Sequence, residues 1–402
     1  MRVVYVARRY WPTIGGQESF VRQLALDIGA RHEVTVLAQR IDDGPATRLS
    51  DSLHRGPSFA AFEDGPVRVE PLRVSSARQI VLTPLLLQVV PGLRRYAYGR
   101  VRILAAALYA WTVAPLIARH IERADAIHIW GGDLLAMAAV RAARLAKVPL
   151  VITPFAHRGQ WGDDPASAMA YRLANRVISL LESDAKLYRD LGVPEDRLLT
   201  HGVCSPAMST GGGPAIRERY GITGPLVIYL GVRRPYKGVD LLLEAARNVA
   251  AQAPQVTFAF VGPGPRLSTA NGSDRILDVG PVDDLTRAAW LDAADLLCLP
   301  SAGETFGVSI LEAWSLRKPV LTSDIPSLRE VVEGASGGVA VPRNSPAIAQ
   351  AVLGLLADPL KLRAMGEAGH AFWAKHYTVS AVAHWHEELY TALMKPLQMA
   401  VA

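Results

Sequence analysis

Cysteine is almost missing from this chain: Cys204 and Cys298 are the only two in 402 residues, far apart and without His or Cys at metal-ligand spacing. That excludes a disulfide framework and a cysteine-rich zinc site, and it fits a reducing compartment. A membrane-spanning run is missing too. Ile80 to Leu93 is interrupted by Pro84 and Pro91, and Ile103 to Ala118, although uncharged, is shorter than the roughly 20 residues a spanning helix needs. The opening Met1 to Ala7 is too short for a secretory signal and meets Arg8 and Arg9 at once, so it reads as the first buried strand of a cytoplasmic protein. No G-x-G-x-x-G follows the first strand, and Gly262-Pro263-Gly264-Pro265-Arg266-Leu267 has Leu where a third glycine would stand, which argues against a dinucleotide fingerprint. No D-x-D triplet accompanies Asp163-Asp164, so no divalent metal is expected.

What is present is the composition of an ordinary globular chain, 50% hydrophobic and 20% charged, long enough for two or three domains. The net charge of +6 is unevenly spread. Residues 1–205 hold 26 basic and 19 acidic side chains, whereas the remainder is nearly balanced. An anionic partner for the N-terminal half is one reading, and a charged, solvated surface is the other. Arg94, Arg95, Arg100 and Arg102 lie between the two apolar stretches, the composition of a peripheral contact with an anionic membrane face. Burial of these stretches in a helical layer accounts for them equally well.

Short β-branched runs alternate with helix-length periodic segments, which predicts parallel βαβ units. Strands are expected at 3–7, 33–38, 126–130, 150–153 and 176–181, with helices at 18–30 and 134–146 between them. Ser205 to Pro214, small and rich in Gly and Pro, reads as an exposed linker. The alternation then restarts, with strands at 226–230, 256–261, 296–299 and 320–322. Helices are expected at 239–252, 285–293, 308–315, 346–357, 360–376 and 379–394. The expected fold class is therefore α/β, two Rossmann-like, doubly wound parallel-sheet domains spanning 1–205 and 206–378. Segment 379–402 forms a last helix returning toward the N-terminal domain.

Candidate chemistry lies in the turns that follow strands. Gly15-Gly16-Gln17-Glu18 leads directly into a helix, whose first N–H groups and positive dipole end suit a phosphate. Gly231-Val232-Arg233-Arg234-Pro235-Tyr236-Lys237-Gly238 presents three cations where a strand ends, enough to neutralise a diphosphate. Glu304-Thr305-Phe306-Gly307 precedes a helix that carries Glu312, and each carboxylate could accept hydrogen bonds from two vicinal hydroxyls of a sugar. His157 follows a strand end in the N-terminal half. His128 sits inside an apolar strand and reads as a core histidine, whereas His370, His376, His384 and His386 read as surface or interdomain residues.

In this order and spacing the motifs resemble the retaining glycosyltransferases of family GT4, with the GT-B fold. The likeness runs from Gly15-Gly16 through Lys237-Gly238-Val239-Asp240 and Gly262-Pro263-Gly264 to Glu304-Thr305-Phe306-Gly307 and Glu312-Ala313. It implies metal-independent transfer of a hexose from a nucleotide-diphosphate sugar, with no further cofactor, to an acceptor hydroxyl, and no nucleic-acid partner; set beside it, the basic excess of residues 1–205 points to a lipid-linked or phosphorylated acceptor. It implies catalytic roles for His157, Glu304, Lys237 and Arg233. Donor contacts are implied at Gly15, Gly16, Arg234, Gly262, Gly264, Phe306, Gly307 and Glu312. Two positions depart from the family pattern: Val232 stands where an arginine is usual, and His201-Gly202-Val203-Cys204 replaces Asn-Gly-Val-Asp. A nucleotide-sugar epimerase of the same fold, or a binding module with a degraded site, are the competing readings.

Overall fold

The computed structural model describes residues 1–13, 15–42, 59–83, 100–159, 161–267 and 275–399. The chain divides into two compact units, Met1–Gly202 with Val379–Ala402, and Val203–Thr378. Each is built on its own doubly wound sheet.

The first unit holds strands β1 (Arg2–Arg9), β2 (Glu33–Arg40), β3 (Phe62–Asp64), β4 (Val67–Pro71), β5 (Ala126–Trp130), β6 (Leu150–Thr153), β7 (Arg176–Ser179) and β8 (Leu198–Thr200). They lie in the order β3-β4-β2-β1-β5-β6-β7-β8. All pairs are parallel except β3–β4, an edge hairpin that no periodicity in the sequence foretold. Strands covered on both faces read as continuous apolar runs, as Val3 to Ala7 and Ala126 to Trp130 do.

The helix Arg100–Ile121 is the one described helix long and apolar enough to cross a membrane by length and composition. It lies against the helix Leu134–Ala146, burying Tyr109, Val113, Ile117 and Ile121 in the core while leaving Leu104 and Trp111 exposed. Of the four arginines singled out in the sequence, Arg94 and Arg95 lie outside the described residues, as does the side chain of Arg100. Arg102 is not a free surface cation: its Nε is 3.0 Å from Oδ1 of Asp164, a buried residue whose side chain also caps the helix Pro165–Leu173.

The last helix, Val379–Met399, packs on the first unit against the helix Gly16–Gly29. The contact buries polar groups. His128 Nδ1 is 2.7 Å from the Tyr390 hydroxyl and Nε2 is 2.8 Å from Thr153 Oγ1, while its ring stacks on Trp130 at 3.8 Å. The core assignment of His128 therefore holds, with both nitrogens satisfied. His386 is a correction. Of the two readings, surface or interdomain, the surface one fails: His386 is fully enclosed, its ring packed toward His128 and Trp130 of the first unit's core and its Nδ1 bonded to Val382 O one turn back. His370 bonds Trp314 O within the second unit, and His384 is exposed.

The second unit holds β9 (Leu226–Leu230), β10 (Thr257–Val261), β11 (Ile276–Gly280), β12 (Leu296–Leu299), β13 (Val320–Ser323) and β14 (Gly338–Val341), all parallel, in the order β11-β10-β9-β12-β13-β14. Ser205 is not part of an exposed linker. It is buried within this unit, its N–H bonded to Tyr377 O and its carbonyl to Trp373 Nε1.

Burial drives the His386 pKa down to about 3 and holds that of His128 well below the ordinary value. Both bind protons in the unfolded chain below about pH 6.5 but not in the folded one, so their stability contribution is complete above that pH and is lost as pH falls. Each adds a slope of about 1.4 kcal/mol per pH unit in that window. Urea denaturation at pH 7.5 and 5.5 should show a loss over this interval, and a smaller one in His386→Leu.

Candidate active site

In the second unit the chain runs from β9 outward to β11 and returns to β12 beside β9. This makes β9/β12 a topological switch point, where loops leave the strand ends in opposite directions and open a crevice. The Gly231–Gly238 loop follows β9 and the Ser301–Gly307 loop follows β12. They touch at Gly238, where a Cβ would lie 2.1 Å from Pro300 O.

Lys237 and Glu304 meet across these loops, Nζ to Oε1 at 2.5 Å, both mostly buried. Ser301 Oγ donates to the same Oε1 at 2.8 Å, and Ser327 Oγ to the Glu304 carbonyl at 2.8 Å. Glu312 belongs to a different cluster. Its carboxylate, in the helix Val308–Ser315, is buried and lies 2.7 Å from Nη1 of Arg287 on the helix Asp284–Ala293. Burial raises its pKa, and the Arg287 charge opposes that shift. Phe306 turns its ring into the core, edge-on to Tyr377 at 5.2 Å, so only its backbone is available to a ligand.

Arg233 is not placed as the sequence suggested. Its guanidinium is buried and held by Pro265 O at 3.1 Å, Phe260 O at 2.9 Å and Asp278 Oδ1 at 2.5 Å. It ties the β9 loop to the Gly262–Pro265 turn after β10. Gly262 and Gly264 serve the same junction: a Cβ would fall 2.1 Å from Gly231 O at the first and 2.5 Å from Arg233 Cβ at the second. Both glycines have positive φ, so a side chain would also be strained. Their role in this structure is loop packing. Arg234 is exposed and has no ion pair among the described residues.

Side chains of Asp133, Asp164, Asp283, Asn344 and Asp358 cap five helices. The helices after Gly15, Gly238 and Gly307 have no side-chain cap, a feature shared with those after Ser75, Leu181, Gly212 and Ile325, but these three start in the loops that follow β1, β9 and β12, where first-turn N–H groups suit an anion. In the first unit, Gly15 and Gly16 follow β1 at its own switch point beside β5, where Gln17 Nε2 bonds Trp130 O at 3.2 Å. His157 stands in the turn after β6, its backbone paired both ways with Trp161. Asp163 accepts from Gly159 N and Asp164 is taken up by Arg102 and its helix cap, so both have local structural work.

Arg287, Asp278, Ser301 and Ser327 were missed from sequence. Ser301 stood three residues before Glu304 in a loop and could have been found, but Arg287 and Asp278 carry no local signal. Arg233→Met should lower the unfolding free energy by about 3 kcal/mol, because it strands a paired carboxylate. Arg234→Ala should stay within about 0.5 kcal/mol. Denaturant titration compares the two.

The family pattern described as "Glycosyl transferase 4-like domain" matches residues 15–203, and "Glycosyl transferases group 1" matches residues 224–358. An alpha-D-kanosaminyltransferase of Streptomyces kanamyceticus is 31% identical over 175 residues, 41% of this chain and 45% of that protein. A phosphatidyl-myo-inositol mannosyltransferase of Mycobacterium leprae is 35% identical over 167 residues, 40% and 44% of the two. The chain thus spans about half the length of the curated relatives it matches. Among solved structures, HepE of Anabaena in complex with UDP and glucose superposes with a TM-score of 0.67 at 18% identity, covering 97% of this chain and 99% of that one. Sucrose-phosphate synthase of Thermosynechococcus elongatus gives 0.69 at 19%, covering 98% and 100%. With both halves matched and the two doubly wound sheets in place, the chain belongs to the GT4 group 1 glycosyltransferases and has the GT-B fold.

Proposed function

We propose that this protein transfers a hexose, with retention, from a nucleotide-diphosphate sugar to an acceptor hydroxyl. The observation that carries the reading is the Lys237–Glu304 pair at the switch point of the second unit, a cation and a carboxylate held together beside two uncapped helix starts. A diphosphate entering there competes for Lys237. Arg234 and the first-turn N–H groups after Gly307 add positive charge where the leaving diphosphate develops negative charge, usually the largest catalytic contribution. Arg234 takes the place first assigned to Arg233. Glu304 receives a hydroxyl of the hexose, and Glu312 accepts the nucleotide ribose hydroxyls. In the first unit, the Gly15–Gly16 turn and His157 are the candidates for ligand contact.

The C1–O bond to the diphosphate breaks with its electron pair going to phosphate, and the acceptor oxygen bonds C1 from the same face. The acceptor proton passes to the departing phosphate oxygen. No divalent metal enters this scheme, since fixed cations and helix ends carry the charge.

The UDP and UDP-glucose in complex with HepE support a nucleotide-sugar donor. The relatives that are phosphatidyl-myo-inositol mannosyltransferases support a lipid acceptor carrying phosphate. We place the reaction at the cytoplasmic face of a membrane, with peripheral contact through the exposed Ile80, Leu104 and Trp111 of the first unit, 72%, 69% and 62% accessible. Apolar side chains of this kind insert at the headgroup boundary, while the basic excess of residues 1–205 attracts anionic lipid.

Thermal-shift screening with UDP-, GDP- and ADP-sugars should show stabilisation by one class. With that donor and phosphatidylinositol vesicles, Lys237→Ala should cut nucleotide release about a hundredfold. Unchanged release would remove the assignment. Leu104→Glu with Trp111→Glu should reduce sedimentation with anionic liposomes and leave the donor-induced thermal shift unaltered.

A further inference from the structure

We propose that Ser301 is a positioning residue, which keeps the Glu304 carboxylate aimed when a bound donor draws Lys237 away; the inference rests on the reading of Lys237 and Glu304 given above. Two donors share Oε1 of Glu304, Lys237 Nζ at 2.5 Å and Ser301 Oγ at 2.8 Å, while Oε2 has no hydrogen bond among the described residues. These donors differ in what they can do next. The lysine sits on a flexible four-carbon stem, one fifth exposed, and an arriving diphosphate carries more negative charge than one carboxylate. The serine is fully buried and cannot follow a ligand.

Its place is fixed from behind. The Ser301 carbonyl accepts from Ser323 Oγ, itself fully buried at the end of β13. Ser327 Oγ, in the first turn of the helix Pro326–Gly334, bonds the Glu304 carbonyl at 2.8 Å. Two hydroxyls from two neighbouring elements thus hold the loop, and the loop's own Ser301 hydroxyl holds the carboxylate. A glutamate side chain has three rotatable bonds and, once Lys237 re-pairs, only the Ser301 hydroxyl still orients it. With Oε1 held by that hydroxyl, Oε2 is presented to a hydroxyl of the hexose. The role therefore concerns the sugar part of the donor and not its nucleotide.

Calorimetry with UDP and UDP-glucose, or with GDP and GDP-mannose if the wild type binds that pair, separates the two. Ser301→Ala should weaken the nucleotide sugar about tenfold and leave the free nucleotide within about twofold. Ser301→Thr, which retains the hydroxyl, should restore most of the loss, and melting temperatures guard against a folding defect. Equal weakening of nucleotide and nucleotide sugar, or no weakening of either, would overturn the proposal. Glu304→Gln distinguishes its failure from that of the underlying reading. If Glu304→Gln reduces sugar-dependent affinity and Ser301→Ala does not, Ser301 alone is excluded. If Glu304→Gln has no effect, the assignment of Glu304 to the sugar fails and the inference with it.

Discussion

Parallel strand pairing is the constraint on which the rest of this molecule depends. A parallel strand can be followed by another only after a crossover, so every strand of the second unit delivers its outgoing loop to the same edge of the sheet. Where strand order reverses, two such loops part and leave a crevice. The loop after β9 brings Lys237 to that edge, and the loop after β12 brings Glu304. Residues 67 positions apart in sequence thereby meet within hydrogen-bonding distance. Nothing local in either loop would bring them together.

The buried and partly buried cations of this site are paired. Lys237 is paired with Glu304, Arg287 with Glu312 and Arg233 with Asp278. Removing a charged group from water is costly unless it gains a partner or hydrogen bonds, so a partly buried site that awaits an anionic ligand must satisfy its cations internally. The three pairs differ in what a ligand can alter. Arg233 is locked by two backbone carbonyls as well as a carboxylate, so it reads as architecture. Lys237 is held by one carboxylate, that of Glu304, on a flexible stem, which makes it the cation most readily redirected.

The two units treat buried polarity differently. In the second it surrounds the strand ends, whereas in the first it anchors the last helix, through His128, Thr153, Tyr390 and Tyr5 in one hydrogen-bonded chain. Thr153 ends β6, directly before the turn that carries His157, and Trp130, stacked on His128, accepts from Gln17 of the glycine turn. The C-terminal helix is thus bonded to the framework beneath both candidate loops of that unit. Neutral histidines suit such a place, since burial suppresses their charge.

The alternation of apolar runs and periodic segments was enough to determine the α/β class and the main strands, because backbone pairing and two-sided burial write themselves into local composition. The glycine turns and the Glu304–Glu312 stretch were legible for the same reason, being short motifs tied to strand ends. Short edge elements such as β3, β8 and β14 were not, since they are only partly buried and lack the continuous apolar run that marks equally short central strands such as β6 and β12. Partners were not legible either. Arg233 and Arg234 are adjacent arginines of the same loop, and only the tertiary structure decides that one is buried against β10 and β11 while the other faces solvent. His386 likewise read as a surface or interdomain residue of a terminal helix, and the packing of that helix is what encloses it. Local sequence records which groups a segment carries and which faces are apolar; which charge meets which depends on contacts between distant segments, and those exist only once the chain has folded.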